Sequence, residues 1–177
     1  MRYPALLVLL AAAIGAPAQA DPQSAAFAQI YSSLCLKHLA KVDELRLKLK
    51  DMPSLPAEKA EGFLQGRPGK AWPVPDKHGV FVLALQDGKD VCSVFAHRAD
   101  AQAVEADFLR LVQTAPAPLT SQLIENGVTQ SARNGRTRTV VYAWSLPQAK
   151  RKMIFTLTTA TGEAANLQAM ATASMGQ

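Results

Sequence analysis

Between Pro22 and Asp51 the apolar residues Phe27, Ile30, Tyr31, Leu34, Val42, Leu45 and Leu49 recur at helical spacing, with Lys37, Lys41, Lys48 and Lys50 mostly off that stripe. The pattern predicts an amphipathic helix, ended by Met52-Pro53. A second, short helix is expected from about Pro56 to Gln65, with proline in its first turn and Gly66 as its stop. Residues 66–79 carry glycine and proline at a density that predicts a long irregular loop. The branched apolar runs Val80–Gln86 and Val91–Ala96 flank Asp87-Gly88-Lys89-Asp90 and read as a hairpin. Asp100 is placed to cap a helix running to about Gln113, and the segment from Thr114 to Pro118 then breaks the chain.

Further on, Leu119–Ala132 predicts a strand bent at Gly127, and Asn134-Gly135 predicts a tight turn into a strand from Arg136 to Leu146. Lys152–Ala160 alternates as a central strand should. The alanine-rich stretch from Gly162 to Met175 reads as a terminal helix. The order α-α-β-β-α-β-β-β-α predicts an α+β domain: one five-stranded antiparallel sheet covered by helices, the order shared by profilin-like and longin-like folds. Such an analogy of architecture says nothing about activity.

The first twenty residues follow a different grammar. A short positive start at Met1-Arg2, an unbroken apolar run from Ala5 to Ile14, a break at Gly15-Ala16-Pro17 and the small-residue end Ala18-Gln19-Ala20 form the layout of a signal peptide cleaved after Ala20. Roughly ten apolar residues are too few for the ~20 of a membrane-spanning helix. Asp21, not an acylatable cysteine, follows the cleavage site, so no transmembrane or lipid anchor is expected. The expectation is a signal peptide at 1–20, a single α+β domain at 21–177 and an exported protein.

Export changes how the cysteines are read. The chain has two, Cys35 and Cys92, and an even count in an oxidising compartment predicts a disulfide that staples the first helix to the hairpin. Charge decides less: without Arg2, 18 Lys and Arg face 14 Asp and Glu, a mildly basic balance.

Candidate chemistry is sparse. His78 precedes the first hairpin strand and His97 follows the second. A two-residue turn at Asp87-Gly88 makes partners sum to 175 and sets the histidines face to face, where Asp76 or Asp100 could complete a metal or acid–base site. A four-residue turn shifts the sum to 177 and puts His78 opposite Ala99. None of Ser32, Ser33, Ser54, Ser93 or Ser121 lies in a Gly-x-Ser-x-Gly setting. A cysteine hydrolase using Cys35 or Cys92 with His38 or His97 conflicts with the even cysteine count. No phosphate-cradling motif is present, and no cofactor is implied.

Two basic regions remain. In the 66–79 loop, Trp72 stands between prolines with Arg67, Lys70, Lys77 and His78 around it. It is either a stiff aromatic anchor for a partner or a plug folded under the loop. Between Asn126 and Gly162 no acidic residue occurs, while Arg133, Arg136, Arg138, Lys150, Arg151 and Lys152 all do. These strands read either as a solvated edge or as a site for an acidic protein, an anionic glycan or a phospholipid. Hairpin geometry puts Arg136 and Arg138 at the opposite end from Lys150–Lys152. Nucleic acid is not an expected partner of an exported chain.

The segments Cys35-Leu36-Lys37-His38-Leu39, Gly69-Lys-Ala-Trp-Pro-Val-Pro-Asp-Lys-His-Gly79, Cys92-Ser93-Val94-Phe95-Ala96 and Lys152-Met153-Ile154-Phe155-Thr156-Leu157-Thr158 resemble a family of small exported proteobacterial proteins and lipoproteins with no established function. The resemblance implies a Gram-negative periplasm and a Cys35–Cys92 pair, and transfers no catalytic residue. Together these readings point to a periplasmic non-enzymatic binding protein with a protein partner, in its most specific form an inhibitor or immunity protein neutralising a toxin of that compartment. The alternatives are a metal-dependent or hydrolytic enzyme using His78 and His97, and an envelope glycan- or lipid-binding module using the basic strands.

Overall fold

The computed structural model describes residues 21–131, 134–162 and 165–176. The expected signal segment, residues 1–20, and Arg133 lie outside them. Helix α1 (Pro22–Ile30) starts where sequence chemistry favours it: the Asp21 carboxylate accepts from the Ser24 N–H at 2.9 Å and proline occupies the first turn. It does not run on to Asp51. A π-helical turn over Tyr31–Leu36 follows, then a 3-10 turn over Leu39–Lys41, and α2 begins afresh at Val42–Leu49. A straight helix over these residues would be about 42 Å long. The interruptions instead keep Phe27, Tyr31, Cys35, Leu39, Val42 and Leu45 all buried against the sheet.

Helix α3 (Ala57–Leu64) stops at Gln65 and Gly66, both in left-handed conformation. Helix α4 (Ala101–Val112) is capped by Asp100, which accepts from the Ala103 N–H at 2.7 Å.

The sheet corrects the expected fold. Among the described residues it has seven strands, not five: β1 (Gly69–Asp76), β2 (Gly79–Gln86), β3 (Val91–His97), β4 (Thr120–Ser131), β5 (Gly135–Ser145), β6 (Lys152–Ala160) and β7 (Ala169–Gly176). All pairs are antiparallel, in the order β1-β2-β3-β7-β6-β5-β4. The expected 66–79 loop is mostly β1, and the expected terminal helix ends in β7.

Both errors have physical causes. Pro73 and Pro75 sit two apart on an edge strand, so their donor-less nitrogens share one side, which an edge leaves open. Glycine supports β1 too: a Cβ on Gly69 would lie 2.3 Å from the Leu85 carbonyl oxygen of β2. In β7, Ala169, Ala171 and Ala173 are buried at 0–1% exposure while Met170, Thr172 and Ser174 alternate onto the other face. Alanine serves close approach here, not helix propensity. The chain over Tyr31–Lys41 packs directly on β7, and the Tyr31 hydroxyl donates to the Thr172 carbonyl oxygen at 3.1 Å.

The sheet therefore has two unlike faces. One, under α1, α2 and α4, holds the main core, including Phe81, Leu83, Leu85, Phe108, Phe155 and Leu157. On the other, α3 packs Ala60 and Leu64 over Ala71, Val82, Ala84 and Phe95 of β1–β3. Towards β4 that second face turns to short hydroxylated side chains in cross-strand pairs: Ser93–Thr172 at 2.9 Å, Thr139–Thr158 at 3.1 Å and Thr129–Thr137 at 3.0 Å. The Cys35–Cys92 disulfide, with a Cα–Cα distance of 5.3 Å, ties the π-helical turn to β3 as the cysteine count predicts.

Candidate functional site

The hairpin of β1 and β2 closes through the two residues Lys77 and His78, since Asp76 pairs with Gly79. The Asp76 carboxylate accepts from the His78 N–H at 2.8 Å, a side chain fixing its own turn. Lys77 and His78 thus project from a tight, locally bonded tip, both exposed. Arg67 and Lys70, also exposed, lie at the other end of β1, and the Arg67 guanidinium donates to the Gln86 side-chain oxygen at 3.2 Å.

Trp72 is set apart from these four. It pairs with Leu83, is 4% exposed and belongs to the main core. Alternation along β1 explains why: Trp72 and Val74 face the helices α1 and α2, so Pro73 and Pro75 must face the other way. The indole is therefore core, and the apolar surface at this corner comes from residues that sequence reasoning passed over.

Pro73 and Pro75 are exposed on that second face, opposite Val82 and Val80. Val80 is 67% exposed. Beside it opens a cavity of about 250 Å³ lined by Phe63, Val82, Phe95 and Leu167, together with Val80, His97 and Asn166. Phe63 and Phe95 meet edge to face at 5.1 Å, and Phe95 and Val82 are themselves buried. The cavity is small for a drug-sized ligand, which needs ~300–1,000 Å³. It has room for a single apolar side chain. The period-2 run Pro73, Pro75 and Val80, Val82 was the signal for it, legible only once residues 69–76 are taken as a strand.

His97 borders this cavity, but not as half of a histidine pair. Val80 pairs with His97, so partners in this hairpin sum to 177, the four-residue turn at 87–90 is the one adopted, and His78 falls in the β1–β2 turn. The His97 imidazole Nδ1 lies 2.8 Å from the Asn166 carbonyl oxygen, and its own carbonyl accepts from the Gln23 side-chain amide at 2.5 Å. Among the described residues no group of three or more His, Cys, Asp or Glu is placed to hold a metal ion. His38 is buried and tied on both sides, Nδ1 to the Leu34 carbonyl at 3.1 Å and Nε2 to the Lys48 ammonium at 3.1 Å. Burial pushes the Tyr31 phenol far above its ordinary pKa, so it stays a neutral hydrogen-bond donor.

The basic strands do not merge into one patch. Arg136 and Arg138 lie where β5 meets the end of β6, and Lys150, Arg151 and Lys152 lie about 30 Å away at the other end of the pair. Two of the five are neutralised: Arg138 pairs with Glu105 of α4 at 3.1 Å and Arg151 with Asp90 at 3.2 Å.

A larger cavity, about 770 Å³, lies where α1 and α4 begin and is lined by Asp21, Arg98, Asp100, Gln102, Thr161 and Gln168 among others. Its carboxylates are already committed as the two helix caps. Gln168 accepts from the Arg98 N–H and donates to the Ala165 carbonyl at 2.9 Å. No family model matches this chain, and no curated protein or solved structure is significantly similar to it.

Proposed function

We propose that this chain is an exported, non-enzymatic binding protein of the periplasm that docks a protein partner at the β1–β2 corner, in its most specific form an inhibitor or immunity protein against a toxin of that compartment. The single observation behind this reading is the corner itself: exposed Val80 on the rim of an apolar cavity sized for one side chain, with its strand neighbours Pro73 and Pro75 exposed on the same face. Protein interfaces concentrate their binding energy in such desolvated pockets that accept one anchor residue.

Charge narrows the partner. At the tip of the corner Lys77 stands beside Asp76, whose carboxylate is already occupied by the His78 N–H. The matching surface is one apolar anchor side chain with an acidic group placed to meet Lys77. Prolines along β1 disfavour main-chain pairing there, so recognition runs through side chains. The disulfide fits an oxidising compartment.

Affinity capture from periplasmic extract, read by mass spectrometry, tests the proposal. One partner should be retained by the wild type and lost with Val80→Glu, a change at an exposed position that leaves the fold intact. If no protein binds above background, the reading fails.

A further inference from the structure

The opposite edge of the sheet carries a second, independent surface. Strand β4 is the other edge, twelve residues long, and contains no proline, lysine or arginine. Its one charge is Glu125. Leu123, Ile124 and Val128 are 48%, 50% and 51% exposed. Edge strands of this length are normally blocked by such residues, because their open N–H and C=O groups template further pairing. The one device present is a bulge between Leu123 and Glu125 that leaves Ile124 outside the β5 ladder.

The bulge has a consequence for facing. Leu123 pairs with Tyr142 and Val128 with Arg138, and both partners reach α4 or its cap, Tyr142 through Gln113 and Arg138 through Glu105. Leu123 and Val128, five apart, therefore share the helix-bearing face, where an unbroken strand would set them on opposite faces. Gln122 and Thr129, opposite Ala143 and Thr137, share the other.

We propose that β4 pairs antiparallel with β4 of a second copy about a two-fold axis through Asn126, joining two sheets into one of fourteen strands. With Ile124 bulged out of both ladders, Thr120 meets Ser131, Gln122 meets Thr129, Leu123 meets Val128, Glu125 meets Gly127 and Asn126 meets its own symmetry mate. Every pair then matches in facing. The lone carboxylate meets a residue without a side chain, and the exposed leucine and valine cover one another. This self-complementarity is what an isologous interface requires.

The area sets the strength. A ladder about 40 Å long and a sheet about 10 Å thick bury ~400 Å² per copy, ~800 Å² in all. That is below the ~1,000 Å² at which stable specific interfaces start, so the expected dimer is weak and transient, with a Kd of about 10–100 µM.

Sedimentation equilibrium of the purified, disulfide-intact protein should show a monomer–dimer equilibrium in that range. Val128→Lys should weaken it about tenfold or more. Position-specific cross-linking tests the register. Opposed residues lie ~4.5–5.5 Å apart between Cα atoms, within disulfide reach. Under mild oxidation Asn126→Cys should give a covalent dimer and Thr120→Cys should not, because its symmetry mate is at the far end of the ladder. A protein monomeric at about 1 mM, a dimer indifferent to Val128→Lys, or cross-linking at Thr120→Cys equal to that at Asn126→Cys would each overturn the proposal.

Discussion

At one edge of the sheet β1 exposes two prolines on one face yet is anchored on both, with Ala71 0% exposed under α3 and Trp72 4% exposed in the main core. At the other, β4 has no buried side chain among those described and is held chiefly by its ladder to β5. The comparison separates two jobs that edge strands are often asked to do together. β1 is anchored by packing and barred from main-chain pairing, which leaves its exposed side chains free to recognise a partner. β4 contributes little burial and keeps its main chain open.

The contrast breaks first on stability. Trp72→Ala should cost about 4 kcal/mol in urea unfolding, in the range for large aromatic truncations in a core, whereas Leu123→Ala in β4 should cost less than about 1 kcal/mol. Equal losses would mean that β1 is not the packed edge. Replacing both cysteines, Cys35→Ala with Cys92→Ala, releases a cross-link between positions 57 apart and should cost about 4 kcal/mol if the chain-entropy account holds.

A smaller effect sits at the join between the N-terminal helices and the sheet. Tyr31 keeps its proton when folded because burial raises its pKa, while the unfolded phenol titrates near 10. Between those limits the folded state binds more protons than the unfolded one. Stability should therefore be unaffected by Tyr31 below about pH 10 and fall above it by up to about 1.4 kcal/mol per pH unit. Tyr31→Phe should flatten that alkaline slope and cost about 1 kcal/mol at neutral pH for the bond to Thr172. A slope unchanged by Tyr31→Phe would place the alkaline sensitivity elsewhere. Smallest of all, Val80→Glu and Val128→Lys should each shift stability by no more than about 0.5–1 kcal/mol, since both side chains are more than half exposed. A large loss at either would disqualify it as a surface probe.

Local chemistry was legible where it acts through neighbours in sequence. The cap at Asp100, the stop at Gly66, the Val80–Ala96 hairpin and the paired cysteines all follow from residues a few positions apart or from simple counting. Tertiary context overrode the rest. The alanines of β7 look helical until Tyr31 and the turns around it are seen to need small residues beneath them. The prolines of β1 look like loop residues until the strand is placed at an edge. The histidine pair depended on a turn two residues long, and Asp87–Asp90 uses four. The β1–β2 corner was hidden by the same reading of residues 69–76 as loop, which left Trp72 open between a surface anchor and a plug and left Pro73, Pro75 and Val80 without a face.

On the proposed function, the β1–β2 corner and not the β4 edge recognises the protein partner. Once capture has supplied that partner, titration calorimetry against the wild type, Val80→Glu and Val128→Lys decides it. Affinity should fall about 30-fold or more for Val80→Glu, the ~2 kcal/mol of an interface hot spot, and stay at the wild-type value for Val128→Lys. Wild-type affinity for Val80→Glu, or an equal loss at Val128→Lys, would contradict it.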